Sequence, residues 1–224
     1  MMMRSIPQQE RPREKLLSKG AAFLSDSELL AIFIRTGVKG QSALDIARKL
    51  LNQFGSLKAL FHAPKEAIYK VSGLGPVKYA ELLAILEINR RYLFEAIKKR
   101  AYFHNTSATK RYLLAQFSQY HREVFACLFL DKKYQLIDFK ELFFGAIDRT
   151  EIYPGEVVKM ALHYHSSAII LAHNHPSGDP TPSHDDIAVT KQLKKALELV
   201  DISLLDHLVI GENKIYSIAE MQDV

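Results

Sequence analysis

Residues 168–200 leave the chain few choices. Ala168-Ile-Ile-Leu-Ala172 is a short apolar run of the kind that forms a buried strand, and Asp185 to Val200 carries its apolar residues at helical spacing. Between them lies His173-Asn-His-Pro-Ser-Gly-Asp-Pro-Thr-Pro-Ser-His-Asp-Asp186, where Pro176, Pro180 and Pro182 stiffen the backbone. A strand, a rigid loop and a helix must therefore follow one another, and no other stretch packs so many potential metal ligands into so little sequence.

Side chains two apart on an extended chain face the same side, so His173 and His175 can present both imidazoles to one ion. Ser183 and Asp186 fall at the N-cap and N3 positions of the helix, which puts a carboxylate at its positive end. Alone, that pair reads as a capping box. The joint pattern of His-x-His, seven residues, Ser, two residues, Asp instead suits a three-ligand catalytic zinc with a fourth position open to water. The two roles are compatible, because the Ser183 oxygen can accept a cap hydrogen bond while its proton is offered to a developing oxyanion. Spacing leaves Asp185 open as an alternative to Asp186, and His184 and Asp179 lie nearby. There is no His-Glu-x-x-His, and one cysteine cannot build a Pro-Cys-x-x-Cys deaminase site.

The remaining pattern divides the chain. From Leu24 to about Ile97 it is helical, with Ser25 or Asp26, Gly40-Gln-Ser42 and Ala63-Pro-Lys65 as helix starts and Glu81 to Lys99 as the last helix. The polar run from Lys98 to Ala108 marks a boundary, giving domains 1–104 and 105–224. A helix at Lys110 to Tyr120 precedes strands at Val124–Leu130 and Tyr134–Ile147, joined at Asp131-Lys-Lys. A helix from Glu156 to His165 and a final hairpin around Gly211-Glu-Asn complete an α/β (α+β) chain, an all-helical module followed by a domain with a mixed sheet. The lone Cys127 excludes an internal disulfide, and with no signal peptide or membrane-length apolar run the expected location is the cytoplasm. Residues 1–112 hold 20 basic and 9 acidic residues, net +11, whereas residues 113–224 are net −6. That asymmetry suits a polyanion-facing module joined to one with another task.

The stretch from His173 to Ser183, with Asp185-Asp186-Ile-Ala-Val-Thr190, closely resembles the metalloprotease signature of the JAMM/MPN domain in its bacterial RadC-family version. The resemblance continues through Asp206-His-Leu-Val-Ile-Gly211 and Leu24-Ser-Asp-Ser-Glu-Leu-Leu30, and so covers nearly the whole chain. It implies a cytidine-deaminase-like zinc domain, zinc on His173, His175 and Asp186, and Ser183 as oxyanion stabiliser. It also implies a glutamate near the start of an early strand as general base, a context that Glu123-Val-Phe-Ala-Cys-Leu128 matches, with Glu141 as the fallback. The implied reaction is hydrolysis of an amide or isopeptide bond in an unknown protein or peptide. Two positions depart from the pattern: Gly155 stands where arginine is expected, and Ala146 where threonine is common.

Ser72-Gly-Leu-Gly-Pro-Val-Lys-Tyr-Ala80 resembles the hairpin of a helix-hairpin-helix motif. There Gly73 and Gly75 would expose backbone N–H groups to a DNA phosphate and Lys78 would add a cation. The same glycines also suit a tight interhelical turn. The rival function is a non-hydrolytic DNA-binding protein of repair or recombination with a structural or vestigial metal site. His207, like the other histidines outside the motif, matches no ligand spacing and receives no role.

Overall fold

The computed structural model describes residues 7–98, 107–145 and 152–223. The chain forms two compact units that divide between Asn89 and Arg90. The boundary expected between residues 104 and 105 lies outside the described residues.

The first unit is helical: α1 (Pro12–Lys19), α2 (Asp26–Ile34), α3 (Ala43–Phe54), α4 (Leu57–Phe61), α5 (Lys65–Tyr69) and the first part of α6 (Pro76–Lys98). Two helices start on reciprocal capping boxes, Ser25 with Glu28 on α2 and Ser42 with Asp45 on α3, each satisfying backbone donors that the first turn leaves free. On α3 the buried residues Ala43, Leu44, Ile46, Ala47 and Leu50 recur at helical spacing and form one side of the core. Leu30, Ile34, Leu60, Ile68, Val71, Leu74 and Leu82 complete it. Sequence periodicity overlooks α1, whose one buried residue is Pro12, and α4, which spans five residues.

The second unit contains α7 (Ser107–Phe117), β1 (Val124–Leu130), β2 (Leu136–Phe144), α8 (Pro154–His163), β3 (Ala168–Asn174), α9 (His184–Glu198), β4 (Ser203–Ile210), β5 (Ile215–Ser217) and the two-residue β6 (Gln222–Asp223). They form one mixed sheet in the order β2-β1-β3-β4-β5-β6, antiparallel throughout except for the parallel pair β3–β4 that α9 connects. The fold is therefore α+β, a helical region followed by a sheet domain, as expected. β2 begins two residues later than expected because Tyr134 turns with φ 56° and the Asp131 carboxylate accepts from the Lys133 and Gln135 amides. The β1–β2 register shifts between Phe125 and Ala126, leaving Leu142 of β2 unmatched, while Ala146 and Ile147 lie outside the described residues.

Both faces of the sheet are covered. Val124, Ala126, Leu128, Ile170 and Ala172 pack with Tyr112, Leu113 and Phe117 of α7; Phe125, Cys127, Phe129, Ile169 and Leu171 pack with Val157 and Ala161 of α8 and Leu193 and Leu197 of α9. Burial on two faces explains why β1 and β3 read as continuous apolar runs. It also seals Cys127, whose thiol pKa burial raises. Among the described residues, no helix is long and apolar enough to cross a membrane.

Candidate metal centre

The centre lies where β3 ends and α9 begins, at the carboxyl end of the parallel pair, the place where open α/β sheets hold ligands. His173 is opposite Phe125 in register, so its ring projects to the α9 side and stacks on the Phe125 ring. His175 continues the ladder, its amide donating to Ile210 O at 2.9 Å, which keeps the chain extended and carries its ring to the same side. The loop then turns at Gly178 (φ 87°), and Asp179 accepts from the Thr181 amide and hydroxyl. Ser183 caps α9, and Asp186 arrives at N3 with its backbone N–H on Ser183 Oγ at 3.1 Å.

One ligand atom from each of His173, His175 and Asp186 lies within 4.8 Å of the others. His173 Nε2 is 3.0 Å from His175 Nε2 and 3.2 Å from Asp186 Oδ1, while His175 Nε2 is 3.5 Å from Asp186 Oδ2. His175 Nδ1 donates to the Asp179 carbonyl at 2.8 Å; a carbonyl only accepts, so the neutral ring must turn an unprotonated Nε2 toward the centre. Two imidazole nitrogens and a carboxylate converging this closely are a donor set that fits a divalent ion such as zinc. Asp185 is exposed, whereas the Asp186 carboxylate lies against both histidine rings.

The molecule contains its own control for the capping reading. Ser42 and Asp45 on α3 make the same reciprocal box, and the Ser42 hydrogen bonds hold the Asp45 pKa below its ordinary value. At Asp186, burial acts to raise the pKa, but the His173 and His175 rings that face it, with the Ser183 hydroxyl, outweigh burial and hold the carboxylate far below its usual range. The raised pKa of His175 reflects first the hydrogen bond to Asp186, partly opposed by burial, and then the Asp179 carbonyl and the nearby charges of Asp186 and Glu123. Ser183 Oγ donates to Asp186 Oδ2 at 2.6 Å.

Glu123 sits half-buried immediately before β1, close enough to His175 to act on its charge. The residue between the two histidines holds it there. Buried Asn174 accepts the Val124 amide at 2.9 Å and donates to Arg122 O at 3.0 Å, and Gly145 N donates to Glu123 O at 2.9 Å. Glu141 is paired in register with Ala126, on the α7 face, where its carboxylate accepts from Gln116 and Tyr120. It is thus on the opposite side of the sheet from His173.

Sequence spacing missed three residues around the centre. Buried His207 on β4 has Nε2 2.8 Å from His173 Nδ1, and Thr190, one turn after Asp186 on α9, has its hydroxyl 2.5 Å from His207 Nδ1. Gly211 ends β4 so close to the loop that a Cβ there would lie 2.4 Å from Gly178 O. The position of Thr190 four residues after Asp186 and that of Asn174 inside His-x-His were visible signals; His207 is brought in only by the pairing of β4 with β3.

In the first unit, Gly73 has φ 89°, and a Cβ there would press on Val38 and Ile46. Gly75 faces open space just before α6 begins, and Lys78 Nζ donates to Thr36 O at 3.0 Å.

A mixed sheet with two histidines at the end of one strand and a carboxylate at the following helix start defines a JAB-type, or MPN-type, domain. Residues 103–223 match the RadC-like JAB domain and residues 3–80 match the UPF0758 N-terminal family. The chain belongs to the RadC (UPF0758) family. A UPF0758 protein of Marinomonas sp. (strain MWYL1) is 50% identical over 220 residues, covering 98% of both chains. Another, from Thioalkalivibrio sulfidiphilus (strain HL-EbGR7), is 52% identical over 207 residues, covering 92% of this chain and 93% of that one.

Proposed function

We propose that this protein is a cytoplasmic zinc-dependent metallopeptidase of the JAMM type that hydrolyses an amide or isopeptide bond in a protein or peptide. The observation that carries the reading is the convergence of His173 Nε2, His175 Nε2 and the Asp186 carboxylate. With His173, His175 and Asp186 as its ligands, zinc would supply the Lewis acidity that makes a water nucleophilic near neutral pH. Glu123 would take a proton from the attacking water and return it to the departing amine, a role worth about a hundred- to ten-thousand-fold in rate. Ser183, whose proton rests on Asp186, turns it to the developing oxyanion.

The first test is zinc per chain in the purified wild type and in Asp186→Ala. About one ion, lost in the variant, is expected; little zinc in either, even after zinc is supplied, overturns the reading. Glu123→Gln should then retain zinc and lose hydrolysis in a peptidase and isopeptidase screen.

A second reading concerns DNA, and the open space at Gly75 before α6 favours it, since a phosphate can approach the helix start there. The candidate contacts are Gly73, Gly75 and Lys78. Binding should weaken steeply with salt and be lost in Gly75→Glu. No binding at low salt leaves the glycines a purely structural role.

A further inference from the structure

We infer that His207 and Thr190 form a hydrogen-bond relay that dictates which nitrogen of His173 faces the metal centre, and thereby hold a metal ligand ready before any metal arrives. The inference rests on the metal-site reading above and assigns positioning roles to two residues outside its ligand set.

Thr190 follows Asp186 by one helical turn, so its hydroxyl reaches back to the Asp186 carbonyl at 2.5 Å. That carbonyl can only accept, so the single Thr190 proton is committed to it. The same oxygen is 2.5 Å from His207 Nδ1, and with its proton spent it acts there as acceptor, so His207 Nδ1 carries a hydrogen. His207 is 1% exposed, and its ring packs edge-on against Phe125. Its neighbour Asp206 turns to the other face of β4, where it accepts from Ser217 Oγ and the Ala219 amide. The two His207 ring nitrogens face Thr190 Oγ1 and His173 Nδ1, and the neutral imidazole has one hydrogen to give, which Thr190 takes. With Nδ1 protonated, His207 Nε2 bears a lone pair and must accept from the atom 2.8 Å away, His173 Nδ1. His173 therefore carries its hydrogen on Nδ1 and turns the Nε2 lone pair toward His175 and Asp186. Polarity runs unbroken from one backbone carbonyl of α9 through two side chains to the ligand atom. Partners of this kind around a metal-bound histidine fix its tautomer and raise its basicity.

Two measurements test the relay. Long-range imidazole 1H–15N correlation spectra of the metal-free full-length protein should place the hydrogen of the neutral His173 and His207 tautomers on Nδ1. Hydrogen on Nε2 of either ring overturns the inference. This arm contains no metal, so it stands even if zinc binding itself fails. Zinc affinity by chelator competition is the second arm. His207→Leu, which leaves His173 Nδ1–H without an acceptor, should weaken zinc by about ten- to a hundredfold. Thr190→Val, of the same shape, should weaken it about tenfold and keeps the test valid if His207→Leu does not fold. His207→Gln, whose amide can accept and donate in the same directions, should recover most of the loss, as a merely space-filling role would not. Wild-type affinity in Thr190→Val and in a folded His207→Leu overturns the relay, whereas absence of zinc from the wild type overturns the metal-site reading instead.

Discussion

At the scale of single residues, the neighbours of the His-x-His motif shape the candidate centre. Asn174 satisfies the buried Val124 N–H and the part-buried Arg122 C=O on either side of Glu123, so Asn174→Leu strands both groups. The stranded Val124 N–H alone costs about 1–3 kcal/mol. Urea unfolding should show that loss, and amide exchange at Val124 should accelerate; unchanged exchange would remove the clamp from the account. His175 and Asp186 make opposed pH contributions in metal-free protein. The stability His175 gains from its raised pKa is fully present below pH 6.5 and is lost as pH rises through its folded value. That of Asp186, held low despite burial, is present above pH 3.8 and lost as pH falls through its folded value. Metal-free stability should therefore decline on the alkaline side of pH 6.5. Zinc affinity should rise over that same interval, because binding needs the deprotonated His175 Nε2. Urea midpoints and chelator competition across pH 5–9 check both signs, and an affinity independent of pH would contradict the ligand role of His175.

Among elements, the decisive contact is between the turn after β4 and the loop after β3. His175 and Ile210 are joined by a backbone hydrogen bond, as are Glu212 and Gly178, and Gly211 fits only because it lacks a side chain. Gly211→Ala must push the loop away from β4 by more than the ordinary van der Waals margin, carrying His175 with it. Zinc affinity should fall while far-UV circular dichroism is retained; wild-type affinity would mean the loop adjusts freely. A comparable cap truncation on a helix without ligands, Ser42→Ala, should cost about 1 kcal/mol and leave zinc untouched. Most elements were legible because their signals are local: reciprocal capping boxes at Ser25, Ser42 and Ser183, two-residue alternation and apolar runs in the strands. α1, α4 and β6 were not, because five-residue or barely buried segments hold their shape through neighbours rather than through a pattern of their own.

For the whole molecule, binding to the folded state alone adds stability by mass action, about 2.7 kcal/mol at a hundredfold excess over Kd. Hydrogen exchange with and without zinc should show the added protection centred on β3, β4 and the start of α9, and Asp186→Ala should abolish it. Protection gained elsewhere, with none at these elements, would point to another site. By itself, the sequence determined the order of most helices and strands, the capped start of α9 and the cluster of candidate donors from His173 to Asp186. Those depend on interactions a few residues apart: side-chain period, cap chemistry and the stiffness of proline. Only tertiary structure decided that Asp186 rather than Asp185 faces the histidines, that Glu141 is on the wrong side of the sheet, and that His207 meets His173 from 34 residues away. Strand register and the parallel pairing of β3 with β4 set those relations, and register is fixed by the packing of both sheet faces rather than by any local run of residues.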